Sequence, residues 1–274
     1  MNKIVLHIGL CKTGSTFLQE ELFPNLIHTD LKLNPNIYME FNNRLNYIND
    51  LTLYKKERYK INVQKENFKY LKRFIKVKFF MKEKSVLRKD KTTIYSSEGL
   101  VGSGLRPSKN SFINALVLKI LFPKAKIILV LRRQEDYLKS IYRQLVFKED
   151  RYDRFIPFKE IVDFSQDYLD WFKIVTVYKF FFGEKKLLVL PYELMKIDLE
   201  KFTKKITKFL DVTPDLPNDY YKKKVNVSSV LKYKDSYNFF EDEIRSHSFQ
   251  EFYKTKNFKL DKLTGENFRE EYNY

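Results

Sequence analysis

The chain has 274 residues, a single cysteine and a formal net charge of +17 at pH 7. This length suits one sizeable domain better than two, so we expect a single domain over residues 1–274. One cysteine excludes an internal disulfide, and no apolar run is long enough to span a bilayer, so we expect a cytoplasmic protein without a membrane span.

The first predicted element is a short apolar strand that leads into a glycine-bracketed loop. Residues 4–8 form the strand, Gly9 and Gly14 enclose the loop, and two hydroxyl residues open a helix. Glycines let backbone N–H groups surround an oxyanion, and the helix N-terminus adds unpaired donors and partial positive charge. The glycine spacing matches a nucleotide-binding P-loop, but the lysine lies inside the loop, at Lys12, instead of after the second glycine. Lys12 is therefore placed to contact one phosphate and the group that leaves it.

This loop, Lys12-Thr13-Gly14-Ser15-Thr16, resembles a motif of one enzyme family. It is similar to the 5′-phosphosulfate loop of sulfotransferases that use 3′-phosphoadenosine 5′-phosphosulfate (PAPS), in which Lys-x-Gly-[Ser/Thr]-[Ser/Thr] joins a strand to a helix. The resemblance implies that all five residues bind the donor and that Lys12 also stabilises charge during transfer.

Two residues are candidates for a catalytic base. Residues 92–97 are predicted to form a strand, and Glu98 directly after it lies on the same rim of a parallel sheet as the loop. The resemblance implies a catalytic carboxylate near this strand end, so Glu98 is the main candidate, although a capping or ion-paired role is equally open. His7 is the rival base. It lies inside the first strand, where a hydrogen-bonded core histidine is the more common outcome.

A second anion-binding pair follows the apolar run over residues 127–131, which we predict to be a buried parallel strand followed by a helix. Arg132 ends this strand, and Ser140 lies eight residues later, about two turns into the helix. A guanidinium offers forked donors to phosphate oxygens and a hydroxyl adds one more, although an exposed arginine and serine are the simpler interpretation of either residue alone. The pair resembles the 3′-phosphate motif of the same family. The family's usual proline two residues after the arginine is replaced here by Gln134.

A further basic segment follows later in the chain. Residues 222–228 resemble the family's basic loop that closes over the 3′-phosphate, which implies donor contacts from Lys224, Asn226 and Ser228. An exposed lysine run is an equally good interpretation. Residues 69–91 alternate basic and apolar side chains, which predicts an amphipathic helix with a solvated basic face.

The order of the predicted elements defines the fold class. A helix over residues 111–121, a strand over residues 187–190 and a helix over residues 194–210 continue the alternation of strands and helices. This alternation predicts an α/β fold, a parallel β-sheet flanked by helices with P-loop-like nucleotide binding and helical insertions. Ligands of such folds bind beyond the carboxyl ends of the strands.

The resemblance implies transfer of a sulfuryl group from PAPS to a hydroxyl or amine, with PAP as the product and a carbohydrate or glycoconjugate as the acceptor. The three histidines are dispersed and lack zinc-site spacing, so we expect no metal. One alternative is a P-loop small-molecule kinase, which the position of Lys12 disfavours. The other is a basic nucleic-acid-binding protein, which we do not expect because the lysines are spread with Asn, Tyr, Ile and Phe.

Overall fold

A computed structural model describes residues 3–33, 91–98, 100–101, 106–143, 162–163, 165–222 and 247–272 of the chain. The predictions for Lys224, Asn226 and Ser228 lie outside the described residues. The predicted basic helix over residues 69–91 also lies outside them, apart from Lys91.

The described residues contain a five-stranded parallel sheet with the order β2-β3-β1-β4-β5. Its strands are β1 (Lys3–Gly9), β2 (Thr29–Leu33), β3 (Thr92–Glu98), β4 (Lys126–Leu131) and β5 (Leu187–Pro191). The predicted α/β fold with a parallel sheet and flanking helices is confirmed. Strand β2 was not predicted; it is an edge strand with half-exposed and exposed side chains.

Helices connect the strands and follow the last one. They are α1 (Ser15–Phe17), α2 (Ser111–Leu121), α3 (Gln134–Arg143), α4 (Trp171–Phe182), α5 (Tyr192–Ile197), α6 (Leu199–Leu210), α7 (His247–Thr264) and α8 (Phe268–Glu271). The short α1 continues as a π-helical turn, Leu18–Leu22, and a 3₁₀ turn, Phe23–Asn25. The predicted helix over residues 111–121 and the helix after β4 are confirmed.

The predicted single helix over residues 194–210 is wrong, because the chain breaks at Asp198. Its backbone leaves the helical region, and its carboxylate accepts a hydrogen bond of 2.8 Å from the backbone N–H of Lys201. An aspartate at this position satisfies a free N–H group at the start of the next helix. The result is two helices, α5 and α6, instead of one.

Strand β1 lies at the centre of the sheet, with β3 and β2 on one side and β4 and β5 on the other. The β1 and β3 strands are in a register that pairs Gly9 with Glu98, so both strands end at the same level. The chain adds strands first to one side of β1 and then to the other. Such a reversal of strand order opens a crevice at the carboxyl ends, where ligands bind in open α/β sheets.

Apolar side chains cover both faces of the sheet, so the central strands are buried on both sides. Along β1, Leu6 and Ile8 belong to one core, while Val5 belongs to the other. This alternation follows from the two-residue period of a strand. It places His7 and Gly9 on the same face as Val5, beneath α1 and the turns that follow it.

Candidate active site

The loop after β1 is held by its own side chains and by an unusual backbone. Lys12 and Gly14 both adopt left-handed conformations, with φ of 63° and 81°. The buried hydroxyl of Thr13 donates a hydrogen bond of 2.6 Å to the carbonyl of Leu10, and Ser15 donates a longer one of 3.4 Å to the same oxygen. These bonds turn the chain tightly before α1. A left-handed lysine at the loop tip is a strained conformation of the kind that clusters at functional sites.

Gly14 also lies tightly against α5. A Cβ atom at this position would lie 2.1 Å from the Met195 methyl and 3.1 Å from the Tyr192 ring. The loop therefore approaches α5 more closely than any residue with a side chain would allow, which gives a physical reason for glycine here.

Arg132, immediately after β4, contacts this same loop. Its Nη1 donates a hydrogen bond of 3.0 Å to the carbonyl of Lys12, and its guanidinium lies 4.9 Å from the centre of the Tyr192 ring. Its Nε is buried and has no hydrogen-bond partner among the described residues. The structure thus joins two motifs that lie 120 residues apart in the chain.

Ser140 lies on α3, the helix that follows Arg132, and is half-buried. It is one helical turn beyond Asp136, and residues four apart share a helix face. Asp136 pairs with Arg133 at 3.1 Å, and no hydrogen bond joins Ser140 to Arg132 among the described residues. Thr16 of the loop motif is exposed at the start of the first helix.

Glu98 lies where the sequence predicted it, at the end of β3 beside Gly9. Its side chain is exposed, yet partial burial raises the pKa of its carboxyl. The charge of Lys12 and the Ser15 hydroxyl, whose single proton is shared with the Leu10 carbonyl, act in the opposite direction. Both of these opposing groups belong to the anion loop. A carboxylate with a raised pKa at the rim is suited to accept a proton from a bound hydroxyl.

His7 lies below the loop, fully buried, with the edge of its ring against Phe23. Its Nδ1 is 2.7 Å from the hydroxyl of Ser96, and that oxygen accepts a hydrogen bond of 2.9 Å from Gln19. The Ser96 oxygen has two lone pairs and one O–H, so either tautomer of His7 satisfies this contact, and Nε2 is buried without a partner among the described residues. Burial lowers the pKa of His7 to about 4. Its full burial and its low pKa favour a structural role in the core over the role of a base.

Several residues of the site carry no signal in the sequence. The indole of Trp171 donates to the carbonyl of Arg132 at 2.8 Å, and Glu193 accepts the backbone N–H of Arg133 at 3.1 Å. Tyr192 supplies the aromatic surface below Arg132. Nothing in the local pattern of the segment that contains Tyr192 and Glu193 places it against Arg132.

The chain matches the sulfotransferase domain family over residues 3–260. It therefore belongs to that family and is an enzyme of the sulfotransferase class, which transfers a sulfuryl group. This result favours the sulfotransferase interpretation over the kinase and nucleic-acid alternatives. A comparison with curated protein sequences finds no match.

Several solved structures resemble the chain. The chain is similar to a sulfotransferase from Alicyclobacillus acidocaldarius, with 16% identity, a TM-score of 0.58 and coverage of 99% of this chain and 98% of that one. It is also similar to mouse sulfotransferase SULT7A1 complexed with PAP, with 16% identity, a TM-score of 0.47 and coverage of 99% and 84%. A sulfotransferase domain of the Synechococcus PCC 7002 olefin synthase has 14% identity, a TM-score of 0.45 and coverage of 97% and 96%. The first of these supports the assigned fold.

A metal site and a membrane-spanning helix each place requirements on the part of the chain that the structure describes. Among those residues, no group of three or more His, Cys, Asp or Glu side chains is arranged to hold a metal ion. No helix in the same ranges is long and apolar enough to cross a membrane.

Proposed function

We propose that residues 1–274 form one catalytic domain that transfers the sulfuryl group of PAPS to a hydroxyl or amine and releases PAP. Three observations support the proposal: the left-handed loop against α5, the contact of Arg132 with that loop, and Glu98 on the same rim. The hydrogen bond from Arg132 to the Lys12 carbonyl carries the most weight, because it brings the two candidate phosphate sites together.

The donor would lie across the crevice at the carboxyl ends of β1 and β4. Backbone N–H groups of the loop, with the hydroxyls of Ser15 and Thr16, bind the 5′-phosphosulfate, while Thr13 contributes only its backbone N–H, because its buried hydroxyl donates to the Leu10 carbonyl. Arg132 and Ser140 bind the 3′-phosphate, since a guanidinium and a hydroxyl suit its oxygens. Lys224, Asn226 and Ser228 would complete this second site, a proposal that rests on the sequence.

In the reaction, the acceptor oxygen forms a bond to sulfur while the bond from sulfur to the 5′-phosphate oxygen breaks. Lys12 stabilises negative charge on the transferring group and on the departing phosphate. Glu98 removes the acceptor's proton as the new bond forms, and a raised pKa brings this carboxylate closer to neutral pH, where a general base works best. The alternative assignment of the base role to His7 is disfavoured by its full burial and by its low pKa of about 4, which makes the ring a weak base.

A carbohydrate or glycoconjugate hydroxyl is the proposed acceptor, by analogy with the family. A cytoplasmic location and a metal-independent reaction stay predictions. Release of PAP with glycan, phenol and amine acceptors, each with and without a chelator, tests both the acceptor class and the metal.

The donor site is tested by calorimetry with PAP, with adenosine 5′-phosphate and with ATP plus magnesium. We expect PAP to bind most tightly, and Arg132→Ala to weaken PAP about tenfold or more, because a charged hydrogen bond contributes about 1.5–3 kcal/mol. Binding of adenosine 5′-phosphate, which lacks the 3′-phosphate, should change much less.

Lys126→Ala is the matched control, since it removes a positive charge from the opposite end of the same strand. It should leave both affinities unchanged. Equal losses for the two nucleotides in Arg132→Ala, or tighter binding of ATP with magnesium than of PAP, would contradict the proposed donor site.

A further inference from the structure

A buried pair of amides joins the start of α3 to the C-terminal helix α7. Gln134 Nε2 donates to Asn257 Oδ1 at 3.0 Å, and Asn257 Nδ2 donates to Gln134 Oε1 at 3.2 Å. Both side chains have no exposed surface. Each amide thus gives one hydrogen bond to the other and receives one back, across 123 residues of chain.

Each amide of the pair requires its partner, because both side chains are buried and have no water to bond instead. A buried amide that loses its partner keeps the cost of desolvation, so neither residue is replaceable alone without leaving a polar group unpaired. A longer hydrogen bond of 3.5 Å from Gln134 to the carbonyl of Leu169 adds a second anchor. The side chain that stands in place of the family's usual proline therefore has defined partners in this chain.

The turn between β4 and α3, which contains Arg132 and Arg133, is held by two further hydrogen bonds. The backbone carbonyl of Arg132 accepts a hydrogen bond of 2.8 Å from the Trp171 indole, and Arg133 donates to the carbonyl of Tyr272 at 3.3 Å. The C-terminal segment thus holds the turn through Asn257 and Tyr272. Arg132 lies in this turn, two residues before Gln134.

We infer that the Gln134–Asn257 amide pair is a positioning device through which helix α7 fixes Arg132 for the 3′-phosphate. The inference rests on the proposed donor site. The direction of the Arg132 side chain follows from the backbone of the turn, and small displacements of a binding group cause large losses of interaction. Loosening the turn should therefore weaken only the part of the affinity that the 3′-phosphate supplies.

The test compares PAP with adenosine 5′-phosphate by calorimetry. In Asn257→Leu, we expect PAP binding to weaken about fivefold or more, as is common for residues in one hydrogen-bond network, and adenosine 5′-phosphate binding to change less than about twofold. Asn257→Ser, which is too short to form both bonds, carries the same expectation if the leucine variant does not fold.

A matched control separates positioning from stability. Asn114 on α2 is also buried and donates a hydrogen bond of 2.7 Å to the carbonyl of Val101. Asn114→Leu should lower the melting temperature as Asn257→Leu does, because each removes a buried amide. It should leave the ratio of PAP to adenosine 5′-phosphate affinity unchanged.

A rescue variant completes the design. Gln134→Asn combined with Asn257→Gln exchanges the two amides and keeps their combined length, so it should recover most of the lost PAP affinity. The inference is overturned if Asn257→Leu changes the affinity ratio no more than Asn114→Leu does, or if the exchange recovers nothing. If Arg132→Ala weakens both nucleotides equally, the donor site itself fails; if Arg132→Ala discriminates and Asn257→Leu does not, only the role of the amide pair fails.

Discussion

Glu193, at the start of α5, should make the stability of the protein depend on pH in the neutral range. Burial raises the pKa of its carboxyl from 4.5 to about 7, and the backbone N–H of Arg133 and the charge of Arg132 oppose this rise, while Asp136 adds to it. Oε1 accepts the hydrogen bond from Arg133, and Oε2 is buried without a partner among the described residues. The folded protein thus favours the protonated carboxyl.

The sign and size of the effect follow from linkage. The unfolded chain releases this proton near pH 4.5 and the folded chain near pH 7, so the stability present below pH 4.5 is lost as the pH rises through about 7. A difference between 4.5 and about 7 corresponds to about 3 kcal/mol, at about 1.4 kcal/mol per pKa unit. A glutamine at this position would carry no such loss, because an amide does not ionise.

The assay is urea unfolding of the wild type and Glu193→Gln between about pH 5 and about pH 8. Glutamine keeps an acceptor for the Arg133 N–H, so the stability of the variant relative to the wild type should increase by about 2–3 kcal/mol from the low to the high end of this range. Other titrating groups cancel in the difference. Glu184→Gln, which removes the same charge from an exposed side chain, is the matched control. Parallel curves for the wild type and Glu193→Gln would refute the reasoning.

The remaining predictions concern the loop and the base. Lys12→Ala should lower turnover about a hundredfold, or on the order of 3 kcal/mol, with a smaller loss of PAP affinity; turnover within a few-fold of wild type would contradict its role. Glu98→Gln should lower turnover by about 10² to 10⁴ with unchanged PAP affinity and melting temperature. His7→Gln should mainly lower the melting temperature, and a folded but inactive His7→Gln beside an active Glu98→Gln would move the base role to His7. Gly14→Ala should abolish PAP binding in calorimetry, whereas Gly183→Ala, with the similar φ of 82° and open space around it, should retain it.

The sequence predicts the parts of this fold that depend on local pattern. Apolar runs identify β1, β4 and β5, because strands buried on both faces are continuously hydrophobic. Strand β3 is more polar and is recognised by its β-branched and aromatic residues, Thr92 to Tyr95. Strand β2 lies at the sheet edge and has no such run. Its existence depends on pairing with β3, which local pattern does not encode.

The same distinction explains the site. The loop motif and Arg132 are visible because each is a short segment of characteristic residues. The contacts that hold them, from Arg132 to the Lys12 carbonyl and from Gln134 to Asn257, connect residues 120 and 123 positions apart. The break at Asp198 is encoded locally, but its capping signal lies within an apolar pattern that continues on both sides. A capping residue inside a periodic apolar segment therefore marks a helix boundary, even where the apolar pattern continues without a break.

The electrostatics of the loop depend on which buried groups remain neutral. Burial lowers the pKa of His7 to about 4 and raises the pKa of the Cys11 thiol to about 11, so neither carries charge near pH 7. The Lys12 charge lowers the pKa of Cys11 only as a minor contribution, smaller than burial. No thiolate therefore forms in the loop to compete with a bound anion. In the proposed site, the positive charge offered to the donor would come from Lys12 and Arg132, joined through one hydrogen bond, and from the N–H groups of the backbone. A few fixed hydrogen-bond donors in the crevice, and not the overall charge of +17, would thus select a nucleotide that carries both a 3′- and a 5′-phosphate.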